Sequence, residues 1–262
     1  MSIKAVREQR SEGGHIVRMA IDNARKLNTL NRMLMLEFVD LLASLESDDD
    51  MRLVILSGTG ERAFVGGADI EELAGLNAET ARDFITLVHR CCDGCRRLPV
   101  PVIARIDGFA LGAGLELAAA CDLRVASTRS MFGMPEVRIG IPSVVEAALL
   151  PPLIGNGRAR QLLYTGEMID AATAQAWGLV DRVAEPAQLD AAVEQLVAPI
   201  VASGPRAIRI QKALIRDWEE LPTSAAVARG IDAFAEAYET DEPHRMTNAR
   251  LTEMRARRTE AR

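Results

Sequence analysis

Two glutamates, Glu116 and Glu136, stand among apolar residues where a solvated carboxylate is not expected. If residues 112–121 form a helix, the neighbours of Glu116 at three and four positions are all glycine or alanine. Burial disfavours the charged form and raises the pKa of a carboxyl group, which suits proton transfer near neutral pH. The alternatives are a paired structural glutamate at Glu116 and, on an extended segment, an ion pair between Glu136 and Arg138.

A glycine-rich loop is the second candidate. Gly66 and Gly67 follow a buried apolar run and precede a helix that we expect to begin near Asp69. Glycine permits close approach of a ligand, and free N–H groups at a helix N-terminus can donate to an anion or a polarised carbonyl. The alternative is a plain glycine-rich connection.

These residues must be positioned by an alternation of strands and helices. The hydrophobic patterns predict a hairpin, then strands and helices in turn, and mainly helix after residue 143. The predicted strands are 3–9, 15–21, 53–56, 101–106 and 123–126, and the predicted helices are 31–45, 78–97 and 112–121. This order is typical of an α/β core that carries a helical C-terminal region. The chain between Glu116 and Glu136 contains one outgoing strand and a reversal, which is enough to return Glu136 to the helix of Glu116.

Composition excludes several classes of function. The 262 residues carry 31 Lys and Arg against 37 Asp and Glu, a net charge of −6, and aromatic residues are only 4%, so nucleic acid is not an expected partner. The longest uncharged stretches, 147–157 and 195–205, are too short to span a bilayer, so no membrane partner is expected. The N-terminal residues lack the pattern of a secretory signal, and the cytoplasm is the expected compartment.

Metal and nucleotide motifs are missing from the sequence. Cys91, Cys92 and Cys95 fall in one predicted helix with no second ligand pair, which favours small apolar core residues over a metal site, and no metal is predicted. His89 is the one further ligand candidate nearby. No phosphate loop, nucleophile elbow or complete dinucleotide fingerprint occurs, so neither NAD nor ATP is expected.

Four segments in order resemble the enoyl-CoA hydratase/isomerase, or crotonase, family. They are Asn-Ala-Arg-Lys-Leu-Asn-Thr-Leu at 23–30, Ala-Phe-Val-Gly-Gly-Ala-Asp-Ile at 63–70, Ala-Leu-Gly-Ala-Gly-Leu-Glu-Leu-Ala at 110–118 and Phe-Gly-Met-Pro-Glu at 132–136. The resemblance implies a spiral core of repeated β-β-α units over residues 1–200. It also implies a helical region at 201–262 that packs between subunits, in a homotrimer or a dimer of trimers.

The resemblance further implies an acyl-CoA thioester substrate, with coenzyme A as part of the substrate and no other cofactor. The N–H groups of Ala68 and Ala113 would hold the thioester oxygen. Members with both glutamates are typically 2-enoyl-CoA hydratases, in which Glu116 would activate water and Glu136 would move the proton at the α-carbon. The implied substrate and coenzyme A contacts are Arg25, Lys26, Leu27, Gly66, Ala68, Asp69, Ile70, Gly112 and Ala113.

One segment departs from the family pattern. Where hydratases commonly continue with a glycine-rich run, this chain reads Ile-Pro-Ser-Val-Val-Glu at 141–146. Val144 and Val145 would then narrow the acyl pocket, and Glu146 would hold substrate or cap the following helix. The alternatives to a hydratase are an enoyl-CoA isomerase, another acyl-CoA-processing member of the family, or a CoA-binding subunit without turnover.

Overall fold

The computed structural model describes residues 1–260, which form two compact units; the first comprises Met1–Ala198 and the second begins at Pro199. The strands are β1 Ser2–Gln9, β2 His15–Asp22, β3 Met51–Gly58, β4 Ala63–Val65, β5 Val102–Ile106, β6 Phe109–Leu111, β7 Leu123–Ser127, β8 Met131–Gly133, β9 Met168–Asp170 and β10 Arg182–Ala184. The helices are α1 Arg32–Leu45, α2 Ile70–Ala74, α3 Ala78–Arg97, α4 Ala113–Ala120, α5 Leu150–Ile154, α6 Asn156–Thr165, α7 Ala171–Trp177, α8 Leu189–Ala202, α9 Pro205–Glu220, α10 Thr223–Ala237 and α11 Glu242–Glu260. Short 3₁₀ turns occupy Ala24–Lys26, Pro135–Ile139, Val145–Leu149 and Pro186–Gln188.

Two sheets organise the first unit. The larger has the order β1-β2-β3-β5-β7-β10, in which the β1–β2 hairpin is antiparallel and the remaining pairs are parallel. The smaller has the order β4-β6-β8-β9, with β9 antiparallel to β8. Strands β3, β5 and β7 of the first sheet are each followed by a short strand of the second sheet and then by a helix or helical turn. This repetition is the predicted β-β-α spiral.

Apolar side chains from both sheets and from α1, α3 and α4 form the core. Asn31 caps α1 by accepting a hydrogen bond from Leu34 N at 2.9 Å, and a capping box of Asn77 and Thr80 starts α3. The cysteines of α3 lie buried in this core, and burial raises the pKa of the Cys91 thiol to about 12. They are packing residues, as the sequence indicated.

After residue 143 the chain is mainly helical, as predicted, and two short strands that the sequence did not predict, β9 and β10, interrupt the helices. Both have three residues, which is too short for an alternating pattern to be visible in the sequence. Their pairing with β8 and β7 supplies the backbone hydrogen bonds that fix them as strands.

The second unit is helical in its described part. Glu242 accepts hydrogen bonds from the backbone N–H groups of Arg206 and Ala207 at the start of α9, at 3.1 and 2.9 Å. Residues 261 and 262 of the predicted C-terminal region lie outside the described residues. Among residues 1–260, no helix is both long and apolar enough to cross a membrane. The cytoplasmic location stays a prediction from the sequence.

Candidate active site

The loop between β4 and α2 is held by the segment that precedes α1. Gly66 N donates to the Leu27 carbonyl oxygen, and Leu30 N donates to the Gly67 carbonyl oxygen, both at 2.8 Å. Asp69 N donates in turn to the Leu30 carbonyl oxygen at 2.8 Å, which makes a parallel bridge between Leu30 and Ala68. In this bridge the two neighbours of Ala68, Gly67 and Asp69, make the hydrogen bonds to Leu30. The N–H of Ala68 itself is therefore directed away from Leu30.

Asp69 ends this loop and starts α2. Its carboxylate is buried and accepts hydrogen bonds from the N–H groups of Glu71 and Glu72. Lys26 Nζ lies 3.2 Å from Asp69 and 2.7 Å from Glu71, and these hydrogen bonds, that to Glu71 first, raise the pKa of Lys26. The structure therefore brings the 3₁₀ turn that carries Arg25 and Lys26 against the glycine-rich loop.

The N-terminal end of α4 faces the same space. Ala113 is the first residue of this helix, and its N–H has no acceptor within the helix because the first-turn N–H groups point out of a helix. Gly112, which precedes it, has φ of +51° and donates its own N–H to the Gly133 carbonyl oxygen at 2.9 Å. Ala68 and Ala113 both line one cavity.

Glu116 lies on the first turn of α4 and is only 3% exposed. Oε1 accepts a hydrogen bond from Ala147 N at 3.3 Å. Burial raises its pKa from 4.5 to about 8, and the negative charges of Glu136 and Glu146 contribute in the same direction. A carboxyl group with this pKa holds its proton at neutral pH and can release it within the working range of an enzyme. The predicted desolvation of Glu116 is confirmed.

Glu136 lies on the 3₁₀ turn Pro135–Ile139, with Oε1 in the space that a Cβ at Gly112 would occupy. Its other oxygen, Oε2, accepts a hydrogen bond from Ser143 Oγ at 2.7 Å. The predicted return of Glu136 to the helix of Glu116 is therefore confirmed. The extended segment with an ion pair to Arg138 is wrong, because Pro135 starts a helical turn and Arg138 Nε donates to the Thr165 carbonyl oxygen at 3.1 Å.

These groups surround a cavity of about 240 Å³. Glu116, Glu136 and Ser143 line it together with Ala68 and Ala113. A second cavity of about 770 Å³ shares part of its wall and is mostly apolar, with Asn77 and Arg82 also in its lining. Its lining includes Ile70, Leu73, Leu76, Phe84, Ile85, Ile141 and Val144. The arrangement combines two carboxyl groups, the backbone of Ala68 and Ala113 and an adjoining, mostly apolar space, which suits proton transfer on an apolar substrate with a polarised carbonyl.

Comparison with known proteins identifies the family. The model of the enoyl-CoA hydratase/isomerase family matches residues 11–256. The crotonyl-CoA hydratase of Syntrophomonas wolfei is 35% identical over 237 residues, which cover 90% of this chain and 91% of that protein. The short-chain-enoyl-CoA hydratase of Clostridium acetobutylicum is 36% identical over 230 residues, covering 87% and 88%. The chain belongs to the enoyl-CoA hydratase/isomerase family.

Solved structures of the enoyl-CoA hydratase/isomerase family have the same fold. The enoyl-CoA hydratase from Bacillus anthracis has a TM-score of 0.89 at 31% identity, covering 95% of this chain and 96% of that one. The enoyl-CoA hydratase from Mycobacterium smegmatis has a TM-score of 0.90 at 28% identity, with the same coverage of 95% and 96%. The fold class predicted from the sequence is confirmed.

Within this enoyl-CoA hydratase/isomerase site, residues 141–146, which depart from the family pattern, make an unexpected hydrogen bond to helix α3. Nδ1 of His89, on α3, lies 2.7 Å from Oε1 of Glu146, and Glu146 is only 7% exposed. No side-chain cap is formed at the start of the 3₁₀ turn Val145–Leu149, so the predicted capping role of Glu146 is wrong. Val144 lines the cavity, as predicted, whereas Val145 packs against the core.

Sequence reasoning missed two side chains at this enoyl-CoA hydratase/isomerase site. In the sequence Ser143 stands out only as part of the segment that replaces a glycine-rich run, although a hydroxyl seven residues after Glu136 can reach its carboxylate when a turn intervenes. The sequence around His89 suggests only a metal ligand. Its partner Glu146 is 57 residues away along the chain, and no local pattern connects them.

Proposed function

We propose that this protein is an enoyl-CoA hydratase that adds water syn across the double bond of a 2-enoyl-CoA thioester. The observation that carries the proposal is that Glu116 and Glu136 line one cavity together with Ala68 and Ala113. Hydration adds a hydroxyl group at one carbon and a proton at the next, which calls for two positioned proton-transfer groups. The relatives named crotonyl-CoA hydratase and short-chain-enoyl-CoA hydratase support the same reaction.

In this proposal the thioester oxygen accepts hydrogen bonds from the N–H groups of Ala68 and Ala113. Negative charge grows on that oxygen as water attacks, because the electrons of the double bond move into an enolate. A fixed donor aimed at such an oxygen contributes roughly 10²–10³-fold in rate. The second donor lies at the N-terminal end of α4, where the helix dipole also favours negative charge.

The two glutamates divide the proton transfers. Glu116 takes a proton from water as the water oxygen bonds to the β-carbon, and Glu136 delivers a proton to the α-carbon as the enolate collapses. Dehydration reverses both steps, with Glu116 protonating the departing hydroxyl group and Glu136 removing the α-proton. Both directions need one proton on the pair, on Glu136 when hydration begins and on Glu116 when dehydration begins. The pKa of about 8 places this proton on Glu116 near neutral pH, ready for dehydration, and hydration begins once the proton has moved to Glu136.

The coenzyme A part of the substrate is proposed to lie along Arg25, Lys26 and Leu27 and the loop from Gly66 to Ile70. Arg25 and Lys26 are exposed beside this loop, and positive charge there suits the phosphates of coenzyme A. Binding would have to compete with the ion pairs that Lys26 makes with Asp69 and Glu71. No metal and no cofactor other than substrate coenzyme A are part of the proposal.

We also propose a homotrimer or a dimer of trimers. Several large apolar side chains of the helices in the second unit are exposed, which is typical of a surface that packs between subunits. They include Trp218, Val227, Ile231, Phe234 and Tyr238. Light scattering on a size-exclusion column tests the proposal, and a monomer at micromolar concentration would contradict it.

The function is tested with crotonyl-CoA by following the loss of the conjugated enoyl-thioester absorbance and the mass of the product. We expect wild type to add one water and Glu136→Gln to lose the activity while still binding acyl-CoA. Glu46→Gln, an exposed glutamate at the end of α1, is the matched control and should behave as wild type.

Each of the other outcomes points to a named alternative. Conversion of a 3-enoyl-CoA without hydration of a 2-enoyl-CoA would replace the hydratase with an isomerase. Tight acyl-CoA binding without chemistry on any thioester would indicate a CoA-binding subunit.

A further inference from the structure

Glu146 is a buried carboxylate that the proposed mechanism does not use. With Glu146 ionised, Nδ1–H of His89 donates to Oε1 at 2.7 Å. Oε2 is buried and has no hydrogen-bond partner among the described residues. A buried carboxylate with one partner is costly, and such groups are retained chiefly where they serve a site.

The position of Glu146 in the chain connects it to the proposed catalytic pair. The residue before it, Val145, has φ of +39°, a conformation that is strained for a β-branched side chain. The residue after it, Ala147, donates its N–H to Oε1 of Glu116. A strained residue, a carboxylate in a part-buried hydrogen bond and a donor to Glu116 therefore follow one another directly.

We propose that His89 and Glu146 form a positioning pair. Their hydrogen bond anchors the strained turn Val145–Leu149 to α3 and so holds the Ala147 N–H in its hydrogen bond to Glu116. The pair also places the negative charge of Glu146 close to the Glu116 carboxyl group. His89 and Glu146 act through Glu116 and do not touch the substrate. The inference rests on the proposed function, because Glu116 is the group that activates water there.

Within the described part of the chain, few titratable groups lie near Glu146 and Glu116. The titratable groups that face Glu146 are His89, Cys91 and Cys92 on α3 and Glu116 on α4. Those that raise the pKa of Glu116 by their charge are Glu136 and then Glu146. Removing the charge of Glu146 while keeping its shape therefore moves the titration of Glu116 in one direction, to lower pH.

The kinetic test separates the hydrogen bond from the charge. His89→Ala removes the donor, and we expect kcat for crotonyl-CoA hydration to fall at least about tenfold with KM within about threefold, since a displaced catalytic group costs turnover more than binding. His89→Asn can place an amide N–H near the position of Nδ1 and should restore most of kcat. Arg90→Ala, which removes an exposed charge from the adjacent position of α3, is the matched control and should behave as wild type.

The second measurement does not depend on turnover. An infrared difference titration, wild type minus Glu116→Gln, reports the protonated carboxyl band of Glu116. Glu146→Gln keeps an oxygen that accepts from His89 and removes the charge, so we expect the midpoint to move at least about 0.5 pH unit lower. This variant also preserves the shape of the side chain, which protects the test against simple misfolding.

The outcomes separate the two proposals. An unchanged midpoint in Glu146→Gln together with wild-type kcat in His89→Ala would overturn the positioning pair. Equal impairment of His89→Ala and His89→Asn would also contradict it, because the donor would then be irrelevant. If wild type does not hydrate crotonyl-CoA but the midpoint moves as expected, the positioning pair holds and the hydratase proposal fails.

Discussion

Oε1 of Glu136 occupies the space that a side chain at Gly112 would need. The two residues are far apart in sequence, yet the absence of a Cβ at position 112 lets the carboxylate lie directly against the residue that precedes the Ala113 donor. Gly112 also has φ of +51°, which glycine adopts readily. One glycine thus sets both the position of the Glu136 carboxylate and the start of α4.

Gly112→Ala is expected to abolish hydration. The new Cβ would push the Glu136 carboxylate away and would strain the backbone before Ala113, so we expect kcat/KM to fall by at least about 10²-fold. The measurement is hydration of crotonyl-CoA by purified, folded variant. Gly157→Ala in α6 is the matched control, since nothing lies within 4 Å of a Cβ there, and it should retain full activity. Full activity in Gly112→Ala would show that Glu136 need not lie where the structure has it.

The pH dependence of kcat/KM should have an alkaline limb set by Glu116. The singly protonated pair is the active form in our mechanism, and its last proton leaves as pH rises through about 8, the pKa to which burial raises Glu116. We therefore expect activity to fall above that pH, measured in constant ionic strength buffers with crotonyl-CoA. A flat profile up to pH 10 would contradict the assignment.

Much of the framework could be predicted from the sequence, because long elements carry a strong pattern. The helix expected at 78–97 is found at Ala78–Arg97, where an amphipathic repeat begins at a capping residue. The strand around Leu53 is likewise present as β3, since a continuous apolar run suits a strand covered on both faces. By contrast, β4, β6 and β8 have three residues each and show no period.

The candidate site was predictable only where one local pattern carried the information. Glu116 could be identified because its helical neighbours are all small, so its burial followed from the sequence around it. The local pattern at Glu136 was ambiguous between an extended segment and a turn. The contacts of Glu136 with Gly112 and of Glu146 with His89 join distant parts of the chain, and only the tertiary fold determines them.

Glu116→Gln should make the protein more stable at alkaline pH while removing activity. The pKa of this carboxyl rises from 4.5 in the unfolded chain to about 8 in the folded protein. Between these values the folded state binds a proton that the unfolded state releases, so stability falls as pH rises, and above pH 8 the whole penalty is present. At about 1.4 kcal/mol for each pH unit, the penalty is at most about 5 kcal/mol.

Thermal unfolding measures this effect. We expect the Tm of Glu116→Gln to exceed that of wild type at pH 9 by more than about 5 °C, with the difference shrinking toward pH 5. Glu46→Gln should show no such pH-dependent difference, because Glu46 is exposed. A difference in Tm that is the same at both pH values would mean that Glu116 is not desolvated in the folded protein.

The apolar cavity beside the candidate site predicts a preference for longer acyl chains. Its volume is about 770 Å³, and Ile85 and Val144 form part of the wall that it shares with the cavity of Glu116. An acyl chain that extends from the thioester into this space buries apolar surface, worth about 0.8 kcal/mol or roughly fourfold in affinity for each methylene. We expect KM to fall in the order crotonyl-CoA, 2-hexenoyl-CoA, 2-octenoyl-CoA.

Ile85→Phe should remove most of the gain in affinity for 2-octenoyl-CoA and change the rate of crotonyl-CoA hydration by less than about threefold. The reason is that the added ring takes up space at the wall that the two cavities share. Leu36→Phe, on the exposed side of α1, is the control. A KM that rises with chain length in wild type would mean that the acyl group does not enter this cavity.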